Sequence, residues 1–403
     1  MSGHAPLPGP LPVPNERRLD LERLARLREQ VRAHDCGAVL LYDPTNIRYA
    51  TGVSNMQVYS LHNPCRYVFV PAEGPVVLFD FFGCEHLSAG KAAVDEVRPA
   101  VSWYHFIVGD RVREKAAQWA AEIADLVTAH GAGNRRIAVD RLDPAGLWAL
   151  EALNVQVADG QEVANHARRI KTPEEMLAIR AAVANCETGM RRMADALRPG
   201  ITELALWSHL HQSNIEMGGE WIETRLLTSG PRTNPWYQEC SDRVIEDGDI
   251  VAFDTDLIGA YGYSADISRS WVAGDGRAGD EQRRLYEAAF DQVTSNILLF
   301  RPGATFEEIA MAGRQLPERY RDQTNSALAH GIGLCNEYPL IVNRQYWEDG
   351  GIDGAVEAGM VFCVESFAGE KGGREGVKLE QQILVTETGP ELLSTHPLEE
   401  TLM

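Results

Sequence analysis

The sequence predicts two domains, a smaller α/β domain followed by a larger α+β domain built from two similar halves. Three observations carry this. Helical and strand patterns alternate up to about residue 165. A Thr-x-x-Glu capping box, Thr172 to Glu175, then opens a new helical stretch. Finally, Arg-Pro-Gly-x-Thr occurs twice, in "LRPGIT" from Leu197 and in "FRPGAT" from Phe300. The length of 403 residues also exceeds one ordinary core. The expected parts are a proline-rich arm over 1–16, an α/β domain over 17–167 and the second domain over 168–403.

The elements follow in order. Leu24, Leu27 and Val31 share one face of a helix over 19–31. "GAVLLY" (37–42) is a strand and "DPTN" (43–46) a turn. "YVFV" (67–70) and "VVLFDFF" (76–82) form a hairpin around "PAEG". A helix over 113–130 leads to the strand "IAVD" (137–140). In the second domain, each Pro-Gly ends a long helix and a threonine caps the next.

Composition removes several classes of function. The formal charge of −20 argues against nucleic acid as a partner. No stretch reaches the ~18 unbroken apolar residues of a membrane span. The first residues lack a charged region followed by an apolar one, so no secretion signal is expected. Seven scattered cysteines without a Cys-x-x-Cys pair read as reduced thiols in a cytoplasmic protein.

The chemistry concentrates in "FDTDLIGAYGYSAD" (253–266). Read as a hairpin centred on Ala260, it sets Asp254 opposite Asp266 and Asp256 opposite Ser264. Strand alternation puts Asp254 and Asp256 on one face, so three carboxylates converge. Such repulsion is tolerable if a cation stands between them. Glu365 interrupts the apolar run "MVFCVESFAG", and Glu380 lies in the strand "VKLEQQILV". His330 stands in "AHGIGL", where Gly331 and Gly333 permit close backbone approach. Five carboxylates and one imidazole suit two divalent ions such as Mn, Fe, Co or Zn.

The order Asp, Asp, His, Glu, Glu within "FDTDLIGAYGYSADISRS", "HGIGL", "CVESF" and "KLEQQILVTETGPELL" resembles the creatinase/aminopeptidase P/prolidase superfamily. The resemblance implies a small creatinase-type N-terminal α/β domain and a pita-bread catalytic domain of two pseudo-symmetric halves. Peptidases of the superfamily carry Asp-x-Gly at the first ligand; here Asp256 stands at the glycine position. They also use a histidine seven residues after the ligand histidine, where this chain has Glu337. Their other catalytic histidine has no counterpart in "SGPRTNPWYQECSDR" (229–243).

"GGEWIETRLLTSGPRTNPWYQEC", "DPTNIRYATG", "NMQVYSLHNPCR" and "HGIGLCNEYPL" resemble the metal-dependent dimethylsulfoniopropionate (DMSP) lyases of the superfamily. That branch implies a homodimer with two metal ions, in which Asp254, Asp256, Asp266, His330, Glu365 and Glu380 are the ligands. It implies cleavage of a small carboxylate, DMSP, to dimethyl sulfide and acrylate. The branch has an aspartate as base six residues after the ligand histidine; here it is Asn336, and an amide cannot act as a general base. The candidates left are the adjacent Glu337 and water acidified by a metal ion. Trp236, Tyr237, Tyr261 and Tyr263 are expected cavity walls, since aromatic faces attract a sulfonium cation. The alternatives are a C–N hydrolase such as an Xaa-Pro dipeptidase, and a binding protein that keeps the fold without catalysis.

Overall fold

The computed structural model describes residues 13–275, 277–399 and 402. Most of the expected proline-rich arm, residues 1–12, lies outside the described residues. Within 13–16 the chain already turns into a helix: Asn15 accepts a hydrogen bond from the Arg18 N–H and caps Glu16–Ala33. Two compact units divide between Arg168 and Arg169.

The first unit holds one six-stranded sheet. Its strands are β1 (Ala38–Leu41), β2 (Tyr67–Pro71), β3 (Val77–Asp80), β4 (Glu96–Pro99), β5 (Arg136–Val139) and β6 (Gln156–Asp159). The order is β4-β3-β2-β1-β5-β6. β2 and β3 form the expected hairpin, and β1 runs parallel to β5. The central strands are buried on both faces, as their unbroken apolar runs require. The turn expected at "DPTN" is the start of a helix, Pro44–Thr51. Asp43 accepts from the Thr45 N–H, and Pro44 occupies the first turn, where its missing N–H costs nothing.

The second unit opens on the capping box. Thr172 accepts from the Glu175 N–H, and the Glu175 carboxylate accepts from the Thr172 N–H, starting the helix Pro173–Ala196. The two Arg-Pro-Gly segments behave alike. Gly200 and Gly303 both adopt positive φ, +95° and +89°. Thr202 then caps Glu203–Glu216, and Thr305 caps Phe306–Ala312. Each threonine also forms an isolated antiparallel bridge, to Val244 and Ala355 respectively. The repeat is therefore structural as well as textual.

Short strands follow: β7 (Trp221–Ile222), β8 (Leu227–Ser229), β9 (Ile250–Phe253), β10 (Leu257–Ile258), β11 (Ser264–Ala265) and β12 (Arg269–Val272). They make two three-stranded sheets, β11-β10-β7 and β12-β9-β8. A five-stranded antiparallel sheet closes the unit: β13 (Ala327–Ile332), β14 (Asn336–Val342), β15 (Val361–Gly369), β16 (Gly376–Thr386) and β17 (Gly389–Leu392). An apolar core including Phe300, Phe362, Phe367 and Ile383 lies beneath the long strands β15 and β16.

Candidate functional site

The aspartate hairpin differs from its expected register. Phe253 pairs with Arg269, Leu257 with Ala265 and Ile258 with Ser264, so the bend centres on Tyr261 and not Ala260. Tyr261 itself takes positive φ, +60°. The shift is two residues in pairing, which leaves every side chain on its expected face. Carried through the hairpin, it sets Asp256 against Asp266 and Asp254 against Ser268. The Ser268 hydroxyl lies 2.7 Å from Asp254 Oδ1 and 2.8 Å from Glu380 Oε2. The Asp256 N–H donates to Asp266 Oδ1 at 3.2 Å.

The acids sit where the hairpin passes from one sheet to the other. β9 and β12 belong to one sheet, β10 and β11 to the next, and residues 254–256 and 266–268 fall between. Asp256 adopts φ +35°, a conformation that glycine takes without strain. An aspartate here carries a carboxylate at a backbone position shaped for glycine. Its Oδ2 accepts from the Thr224 hydroxyl at 2.7 Å.

The long sheet brings in the remaining groups. Glu365 and Glu380 are directly opposite on β15 and β16, an arrangement that repels if both are charged. His330, on β13, points Nε2 at Glu380 Oε1 (3.4 Å) and Asp266 Oδ2 (3.8 Å). Its Nδ1 lies 3.1 Å from the Gly331 carbonyl, so Nδ1 carries a proton and Nε2 is the nitrogen that faces the acids. Donor atoms of Asp254, Asp256 and Asp266 lie within 4.8 Å of one another, as do those of Asp266, His330, Cys363 and Glu380. The six residues singled out in the sequence thus share one cavity of 690 Å³.

One member of the cluster was missed. Lys378 is buried, and its ammonium contacts Asp254 Oδ2 (3.0 Å), Glu365 Oε2 (2.8 Å) and Glu380 Oε2 (2.9 Å). Strand alternation held the signal, because Lys378 lies two before Glu380 and shares its face. Asn325 also donates to Glu365 Oε2 at 2.6 Å.

Electrostatics follow from this crowding. Burial raises the pKa of Asp256 and Asp266, and neighbouring carboxylates push the same way. Glu380 is likewise raised by burial, against the pull of Lys378. Asp254 goes the other way: burial opposes its charge, but Lys378 and hydrogen bonds hold its pKa below the usual carboxylate range. Burial acts to lower His330, yet Glu380 outweighs it and lifts the imidazole to about 9. Cys363 is raised well above its ordinary value by burial and the surrounding acids.

The donor chemistry fits divalent ions. It is oxygen-rich with one imidazole. Glu380 Oε1 is buried without a hydrogen bond, although it faces His330. Five carboxylates are also balanced by two divalent ions together with the Lys378 ammonium, since −5 + 4 + 1 is zero.

The expected catalytic and wall residues fare unevenly. Asn336 is exposed at the cavity, next to Glu337. Glu337 is buried; Lys171 donates to its Oε2 at 2.5 Å, and the Leu334 N–H donates to its Oε1 at 3.0 Å. Gly333 makes room for this, since a Cβ there would stand 2.6 Å from the Glu337 carboxylate. Lys171 precedes Glu337 by 166 residues, so nothing local in the sequence announced it. Tyr237 lines the cavity and is 66% exposed. Trp236 does not: it packs in the core against Phe367. Tyr263 is fully buried and its hydroxyl donates to Glu175. Tyr261 forms the hairpin bend, away from the cavity lining. Three of the four expected wall aromatics therefore serve packing or the turn.

This two-unit chain with its buried acid cluster has clear relatives. It belongs to metallopeptidase family M24, whose profile matches residues 178–387, and is an enzyme of that family. The creatinase/prolidase N-terminal domain matches residues 23–170. The chain is 42% identical to the dimethylsulfoniopropionate lyase DddP of Roseovarius nubinhibens over 398 residues, 98% of this chain and 89% of that one. The corresponding lyase of Roseobacter denitrificans is 40% identical over 399 residues, covering 96% and 89%. Among solved structures, an Xaa-Pro dipeptidase from Bacillus anthracis superposes with a TM-score of 0.77 at 21% identity, over 94% of this chain and 99% of that one. At that identity the likeness shows the fold alone: a creatinase-type domain followed by a pita-bread domain.

Proposed function

We propose that this chain is a metal-dependent carbon–sulfur lyase that cleaves DMSP, or a close sulfonium carboxylate, to dimethyl sulfide and acrylate. The observation that carries it is Asp256, a sixth donor at a glycine-shaped position. The identity of over 40% to a DMSP lyase across nearly the whole chain supports the same reading. In this reading Asp254, Asp256, Asp266, His330, Glu365 and Glu380 hold two divalent ions, of Fe, Mn, Zn or Co. When bound, the ions supply Lewis-acid polarisation of the substrate carboxylate.

The residues of the chain do the rest. The Tyr237 ring offers its face to the sulfonium. Glu337 takes the proton from the carbon alpha to the carboxylate. Lys171 donates to Glu337 Oε2 and the Leu334 N–H to its Oε1, and these contacts orient the carboxylate at the cavity lining. The C–H electron pair becomes the C=C bond. The C–S bond breaks, and its pair leaves on sulfur as neutral dimethyl sulfide. Lys171 acts through Glu337 by fixing its carboxylate. A homodimer in the cytoplasm completes the proposal.

Metal-loaded protein incubated with DMSP should release dimethyl sulfide, measured by gas chromatography. Cleavage of Xaa-Pro dipeptides without dimethyl sulfide would overturn the reading in favour of a C–N hydrolase. Neither activity, with metal bound, would favour a binding protein.

A further inference from the structure

A second cluster of metal-ligand type lies in the first unit and shares no residue with the acid cavity. His34, Glu162 and His166 each offer a donor atom, all within 4.8 Å of one another. The geometry points to a divalent transition-metal site of the zinc type, bridging the end of helix Glu16–Ala33 and helix Gly160–Arg168.

The two helices pack against each other. Buried Leu27 and Val31 lie on the first, and Val163 and Ala167 on the second. Glu162 and His166 are four residues apart on the second helix, so they share one face. Glu162 is exposed and His166 half-buried. His34 caps the first helix at its C-terminus. Arg136 donates to the His34 carbonyl at 2.5 Å and holds that backbone in place.

The tautomer of His34 favours a metal ligand. Its Nδ1 lies 2.8 Å from the Gln30 carbonyl, a contact only an N–H can make. The Nε2 lone pair therefore points outward, as it does in metal-binding histidines whose other nitrogen donates to a carbonyl. That Nε2 stands 3.2 Å from His166 Nδ1 and 3.7 Å from Glu162 Oε1. Around zinc, with bonds of about 2.0–2.1 Å, a tetrahedron has edges of about 3.3 Å. The nitrogens match that edge, and the exposed Glu162 carboxylate lies within 4.8 Å of both. Two imidazoles and one carboxylate select zinc-type ions over magnesium or calcium, which prefer oxygen alone. The fourth position is left to water, so the ion would exchange. Bound, it would tie together two helices far apart in the chain and stabilise the first unit by mass action.

The competing arrangement is a plain hydrogen bond from His166 Nδ1–H to His34 Nε2. Full-length protein stripped with chelator and dialysed against zinc separates the two. His166→Ala should bind one zinc fewer per chain than the parent, by metal analysis. Glu162→Gln, a change at an exposed side chain, should weaken that site by tenfold or more. A crystal soaked in zinc should show an anomalous peak between the three side chains. Equal zinc content in parent and His166→Ala, or a peak confined to the acid cavity, would overturn the site and leave only the hydrogen bond.

Discussion

Lys378 is an internal counter-charge within the acid cluster. It is the buried cation in contact with Asp254, Glu365 and Glu380. Removing one partner from a buried charge cluster costs about 3–5 kcal/mol, because the others are left uncompensated. Lys378→Gln should therefore lower the Tm of chelated protein sharply and that of metal-loaded protein less. An equal drop in both states would show that the ammonium does not act as the internal counter-charge. The base is tested two positions from the bend of the β13–β14 hairpin. Glu337→Gln should reduce kcat for DMSP cleavage by about 10²–10⁴-fold, the usual size of a lost general base. Asn336→Asp, which adds a carboxylate at the exposed edge of the same cavity, should raise activity. No change in either variant would remove both residues from the proton transfer. Lys378 was legible in principle from the strand period. Lys171 was not, because its partner is fixed by tertiary packing.

At the scale of elements, the aspartate hairpin holds Asp256 at a strained backbone position. Asp256 holds φ +35°, and burial together with the Asp254 charge raises its pKa. Strain of this kind costs about 1–3 kcal/mol for a residue other than glycine. Asp256→Gly should relieve it, although the Thr224 hydrogen bond is lost. The expected result is a metal-free Tm higher by about 2–4 °C for each kcal/mol gained, with fewer metal ions bound. A lower metal-free Tm would mean that Asp256 supports the hairpin and does not strain it. The hairpin's existence was legible from alternation, but its centre was not. Tyr261 and Gly262 both take positive φ, and this irregular bend, not the symmetric one assumed at Ala260, sets the pairing.

For the whole molecule, the proposed metal uptake should be coupled to protons. His330 has a pKa of about 9 in the metal-free cavity, so it is protonated at pH 7 and must release that proton to ligate. Asp256, Asp266 and Glu380 are shifted upward too. Metal affinity should rise with pH up to about 9. The contribution of His330 to metal-free stability has the opposite slope. It is full below the ordinary value of 6.5 and is lost as pH rises towards 9. Calorimetry of metal binding at pH 7 in buffers of different ionisation enthalpy should report net proton release; zero release would contradict the coupling. Among the described residues no helix is long and apolar enough to cross a membrane.

The sequence by itself determined the two-part fold, the repeated Pro-Gly-x-Thr helix starts and the six acid and imidazole residues that line the cavity. Each is written in a local pattern: a capping box, a helix stop, or a strand period interrupted by charge. Tertiary structure decided the rest. It placed Lys378 among the acids, tied Glu337 to Lys171, and moved Trp236 and Tyr263 from the cavity into the core. Those outcomes depend on which faces of distant strands and helices meet, and a single strand's period carries no information about its partner. The second cluster is of the same kind. Glu162 and His166 show helical spacing, but only the packing of their helix brings His34 to them.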